Sequence, residues 1–178
     1  ARHKCRVRID RARRDSEQHL TLAVDRMTKH CEARQPVAEL AALAGLSAEQ
    51  LSHLTDDQIA ALGTAHVAAL TGEQLTGLTV GSVTALSSTQ IGVLDSNQLT
   101  AFSTAQLAAI SSADIKSVGT AALHALGADQ VAAMTSDQFS AMTTAQAVAL
   151  TADQLAGLTT AKLNALSSAD FAVLNSTQ

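Results

Sequence analysis

Few side chains in this chain have types and spacing that could do chemistry, so each of them can be weighed in turn. His53, His66 and His124 are candidate metal ligands, but a metal needs donors that converge, and these three fall at unrelated intervals. The paired carboxylates Asp56-Asp57 could serve as general acid and base. Ser and Thr hydroxyls are abundant, but no Ser–His–Asp arrangement stands out among them. The nine glycines are dispersed singly, so no Gly-rich phosphate loop is present. On these grounds the chain reads as non-enzymatic, with no cofactor, no metal and no small-molecule substrate.

Two other sets could recognise a partner. Arg2, Lys4, Arg6, Arg8, Arg11, Arg13 and Arg14 crowd the start of the chain, a basic arm of the kind that meets nucleic-acid phosphates. Residues 1–46 carry ten Lys/Arg against six acids, about +4, whereas residues 47–178 carry two against ten, about −8. A second set is a ladder of glutamines, Gln50, Gln58, Gln74, Gln90, Gln98, Gln106, Gln130, Gln138, Gln146 and Gln154, set at multiples of eight.

That period is the organising feature. From Ser47 to Leu174 the chain divides into sixteen octapeptides without insertion or deletion. Numbered within the octad, position 1 is Ser, Thr, Asp or Gly throughout, and position 4 is Gln in ten units. Position 5 is always apolar, position 7 is mostly small, and position 8 is Leu, Ile, Val, Met or Phe.

Ser/Thr-x-x-Gln is a capping box, in which the position-1 oxygen accepts from the position-4 N–H and the Gln side chain reaches back to the position-1 N–H. The spacing therefore predicts helix caps at Ser47, Thr55, Thr71, Thr79, Ser87, Asp95, Ser103, Thr135, Thr143 and Thr151. Position 8 precedes each cap and position 5 follows it at the fourth helical place, which makes pairs such as Leu54–Ile59 hydrophobic staples. All ten acids of the repeats sit at positions 1 to 4, where the positive end of a helix dipole favours them.

One continuous helix is excluded by arithmetic. Eight residues at about 100° each overshoot two turns by about 80°, so positions 5 and 8 would spiral around the rod and leave no face to bury. A strand fails as well, because spacings of three and five do not alternate with period two. The expected fold is all-α: a solenoid or superhelix of short capped helices, one per octapeptide, with each unit packed on its neighbours. With 47% apolar residues but only three Phe and no Trp or Tyr, its core is built of Leu and Ala.

Ahead of the octads, Asp15 to Glu32 carries a cap signal and an apolar stripe of Leu20, Val24, Met27 and Cys31. A second helix is expected over Val37 to Leu43, closed by Ala44-Gly45-Leu46. The expected organisation is a basic, poorly ordered arm over 1–14, an N-terminal helical cap over 15–46, and the solenoid over 47–178. Asn175-Ser176-Thr177-Gln178 supply positions 1 to 4 of a seventeenth octad, as expected of a segment of a longer array. Cys5 and Cys31 do not make a disulfide framework, and no stretch reads as a signal peptide or a transmembrane helix.

Glu39-Leu40-Ala41-Ala42-Leu43-Ala44-Gly45-Leu46-Ser47, with Leu51 and Leu54 after it, resembles the first half of an AraC-type helix-turn-helix. The resemblance implies DNA binding through the next helix, but Ala48-Glu49-Gln50-Leu51-Ser52-His53 holds no Lys or Arg. The octads themselves resemble Leu-Thr-x-x-Gln-(Ile/Val/Leu)-Ala-Ala-Leu arrays of large secreted or surface proteins of bacteria. That resemblance implies a structural or protein-interaction module, a spacer or scaffold that engages a protein partner or its own kind, with no membrane insertion. The competing expectation is a cytoplasmic DNA-binding regulator that uses the basic arm and the helix-turn-helix-like segment.

Overall fold

A computed structural model of the chain describes residues 45–174. The basic arm, all but the last two residues of the 15–46 cap, and Asn175 to Gln178 lie outside the described residues. Within them the chain is all-helical, with one short helix per octad. The first turns of the coil hold α1 (Ala48–Ser52), α2 (Asp56–Ala60), α3 (Thr64–Ala69), α4 (Gly72–Leu75), α5 (Val80–Thr84) and α6 (Ser88–Gly92). Next come α7 (Ser96–Thr100), α8 (Thr104–Ala109), α9 (Ser112–Ile115), α10 (Thr120–Ala125) and α11 (Ala128–Ala133). The array continues with α12 (Ser136–Ser140), α13 (Thr144–Ala149), α14 (Ala152–Ala156), α15 (Thr160–Ala165) and α16 (Ser168–Val173).

Two backbone hydrogen bonds define every octad. The position-5 N–H donates to the position-1 carbonyl at 2.9–3.2 Å, an α-helical bond. The position-8 N–H then donates to the position-5 carbonyl at 3.0–3.3 Å, a tighter 3₁₀-type closure that ends the helix. The next position 1 is extended, as at Thr55 with φ −73° and ψ 157°, and this bends the chain into the following unit. Among the described residues no backbone has positive φ. The bend thus needs no glycine: position 1 is Ser, Thr or Asp in thirteen of the sixteen octads.

Positions 5 and 8 fill one continuous core from Leu51 to Leu166. Burial is complete at Leu51 and loosens at the far end, where Phe171 is 46% exposed. Each helix packs on the third helix along, from α1 on α4 through to α13 on α16. This alters one expectation: the units are neighbours across turns of a superhelix rather than in simple succession. Small residues set the approach of the turns. A Cβ on Gly77, at position 7, would lie 1.9 Å from the Ala48 carbonyl oxygen one turn earlier.

Candidate functional site

Where the helices are this short, most of their backbone groups lie at an end and need partners from outside. The position-1 side chains meet half of that need. Ser47, Thr55, Thr71, Thr79, Ser87, Asp95, Ser103, Thr135, Thr143 and Thr151 each accept from the position-4 N–H, at 2.8–3.4 Å. At the glycine caps, the Gly63 and Gly127 N–H groups keep only the return bond, which they donate to His66 Nδ1 and Gln130 Oε1. Gly119 has neither.

The glutamines do more than close the box. Gln90 shows the pattern: its Oε1 accepts from the Ser87 N–H at 2.8 Å, and its Nε2 donates to the Leu62 carbonyl at 2.7 Å and the Ile59 carbonyl at 3.1 Å. The two carbonyls lie 28 and 31 residues earlier, at the C-terminal end of α2. One amide therefore caps the N-terminus of its own helix and the C-terminus of a helix one turn back. Gln74, Gln98, Gln106, Gln130, Gln138, Gln146 and Gln154 repeat the 28-residue bond at 2.6–2.8 Å, onto Leu46, Leu70, Leu78, Phe102, Ile110, Val118 and Leu126. The partners also fix the amide orientation, since only oxygen can accept and only nitrogen can donate. Capping alone accounts for half of the ladder; the spacing of the carbonyls across turns, which the octad pattern does not display, accounts for the rest.

Where a polar residue other than Gln stands at position 4, it makes the bonds its own chemistry and length allow. Lys162 has donors only: its Nζ reaches the Ala132 carbonyl across the turn, and Thr159 makes no side-chain cap bond. Asp170 has acceptors only as a carboxylate: it takes the Ser167 N–H at 2.9 Å and Oγ at 2.7 Å, with no bond to the turn below. Ser82 is too short for the carbonyls and donates to Asp56 Oδ1 at 3.1 Å. Gly81 makes room for that carboxylate, because a Cβ there would stand 2.9 Å from Asp56 Oδ2. Asp114 is held by Ser111 and, across the turn, by Ser88.

The residues first singled out for chemistry are thus placed individually. His66 serves the Gly63 cap, His124 Nδ1 lies 2.9 Å from the Ala149 carbonyl, and His53 sits at the end of α1. Among the described residues no group of His, Cys, Asp and Glu could hold a metal ion. Asp56 and Asp57 stand in the first turn of α2, where Asp56 receives the Ser82 hydroxyl. Arg2, Lys4, Arg6, Arg8, Arg11, Arg13 and Arg14 lie outside the described residues, as does most of the helix-turn-helix-like segment. Its described end, Ser47 to Leu54, is the first octad of the coil, with the same capping box as the others.

A single core wound by repeated short helices, with helix n on helix n+3, defines an α-helical repeat protein of the solenoid type. Within that class, residues 107–144 match the family model described as the ALTTAQ repeat. Those six letters run over positions 7, 8, 1, 2, 3 and 4 of the octad, as in Ala133-Met134-Thr135-Ser136-Asp137-Gln138. They therefore span the staple residue, the cap and the ladder glutamine. No curated protein and no solved structure matches the chain.

Proposed function

We propose that the octad array is a non-enzymatic structural module of a larger bacterial protein, a spacer or scaffold that sets distance and presents an even helical surface to a protein partner. The observation that carries this reading is the engagement of the repeating polar side chains. Position-1 hydroxyls and position-4 amides, the groups a repeated ligand site would use, are turned to backbone groups of the array itself. What faces outward at positions 2, 3 and 6 is varied: mostly Ser, Thr and Ala with scattered acids, and with Lys116, His124, Val80 and Val148 among them. No described helix is long and apolar enough to cross a membrane.

A spacer's length should follow its number of turns. Packed helices lie about 8–10 Å apart, so each turn removed should shorten the particle by about that much. Small-angle scattering of the full chain and of chains ending at Leu150 and Leu126 measures this. Stepwise shortening with unchanged helicity per residue supports the reading, and a maximum dimension that stays constant contradicts it. The regulator alternative has its own test: binding of the full chain to duplex DNA at low salt, lost steeply as salt rises, would displace the spacer reading.

A further inference from the structure

The ladder is interrupted in mid-array. Its bonds to position-8 carbonyls run through Gln90, Gln98 and Gln106 and resume with Gln130, Gln138, Gln146 and Gln154. Between them, the two consecutive units that form α9 and α10 have Asp114 and Ala122 at position 4. The carbonyls 28 residues before them, Leu86 and Leu94, are the ones that Gln would have reached, and neither accepts from a side-chain donor among the described residues. Across that gap the turns share one hydrogen bond near Asp114, from the Ser88 hydroxyl, and it is exposed to solvent. The Gly119 cap between the two units has no side-chain bond of its own. A small void of about 10 Å³ lies in the core at the same place, lined by Ile115, Val118, Leu123 and Leu126 of these units with Leu107 and Met134 among the flanking residues.

These features coincide on the side of α9 and α10 that meets the preceding turn, while Gln146 and Gln154 bond the carbonyls of both helices to the following turn. We propose that α9 and α10 form a compliant joint, the place where the superhelix opens or bends first. An array of uniform units frays from its ends and is most protected in the middle. The joint reverses that order, giving a protection minimum near the centre, with stiffer blocks of intact ladder on either side. It does not depend on the spacer reading, because it is a property of local stability whatever the array carries.

Hydrogen exchange of the full chain, resolved to peptides, tests this under native conditions. Amides of α9 and α10 are expected to exchange about tenfold faster than those of α7–α8 and α12–α13, from two missing inter-turn rungs. Restoring both rungs with Asp114→Gln and Ala122→Gln should bring that exchange down to the level of the flanking helices. Opening a new gap with Gln138→Ala should raise exchange at α12 about fivefold, so the proposal stays testable if the doubly substituted chain does not fold. Protection in α9 and α10 of the unsubstituted chain equal to or greater than that of the flanking helices would overturn it. So would a folded double variant whose exchange there is unchanged.

Discussion

Gln98 offers a stringent test of the double-capping amide, because all of its bonds can be counted. Its Oε1 accepts from the Asp95 N–H at 2.9 Å, and its Nε2 donates to the Leu70 carbonyl at 2.7 Å, the Val67 carbonyl at 3.0 Å and, more weakly, the Ala68 carbonyl at 3.4 Å. The side chain is 3% exposed, so no water replaces a lost partner without rearrangement. Gln98→Ala removes these bonds and leaves the buried Leu70 carbonyl without its side-chain donor, whereas the Val67 carbonyl keeps the Leu70 N–H, a cost of about 1–3 kcal/mol. Gln98→Lys keeps the donor and loses the acceptor, as Lys162 does naturally, and should recover about 1 kcal/mol of that loss. Gln98→Glu keeps the acceptor and sets a second carboxylate oxygen against two carbonyl oxygens.

The pH dependence of that last variant separates bridging from filling. Burial beside carbonyl oxygens disfavours the charged form, so the introduced carboxyl has a folded-state pKa raised above its unfolded value. A group with a raised folded pKa supports the fold below its unfolded pKa, and this support is lost as pH rises through the folded pKa. Relative to the unsubstituted chain at each pH, the deficit should be greatest at neutral pH and shrink in acid, where a protonated oxygen can donate to Leu70. Urea unfolding followed by helical circular dichroism provides the measurement, with midpoint and slope both reported because repeat arrays need not unfold in two states. A Gln98→Ala cost below about 0.5 kcal/mol, or a Gln98→Glu deficit that is flat with pH, would refute the double-capping argument.

Three further outcomes are expected from the same assay. Asp95→Ala removes the side chain that accepts the Gln98 N–H at 2.8 Å and should cost about 0.5–2 kcal/mol, while Asn97→Ala on the exposed side should be nearly silent. Leu94→Ala in the core should cost about 2–5 kcal/mol. Gly77→Ala drives a methyl into the Ala48 carbonyl and should cost about 1–3 kcal/mol, whereas Gly119→Ser enters open space at an uncapped helix start and should add a few tenths.

The local half of the fold is legible in the sequence because it is written in near-neighbour spacings. Thr55 and Gln58 stand three apart, and Leu54 and Ile59 flank the cap, so the octad phase, the helix starts and the core positions can all be read from the residues themselves. The packing across turns is not legible there. Which carbonyl Gln90 meets depends on how far the chain swings at each extended position 1, and angles such as the 162° ψ of Ser87 accumulate over several units before Leu62 comes into reach. For the same reason the departures from Gln look like noise in the repeat until their partners are seen. Asp56, Ser82 and Gly81 form one set across a turn, although they are 25 and 26 residues apart.

The superhelical pairing of octad n with octad n+3, closed by glutamine, can be observed directly in the nuclear Overhauser spectrum of the isotope-labelled chain. The Gln98 side-chain amide protons should show cross-peaks to backbone protons of residues 67–71, and those of Gln138 to residues 107–111, in addition to peaks within their own octads. Cross-peaks confined to residues 95–102 and 135–142 would mean that each glutamine caps only its own helix, and the turn-to-turn architecture would be wrong.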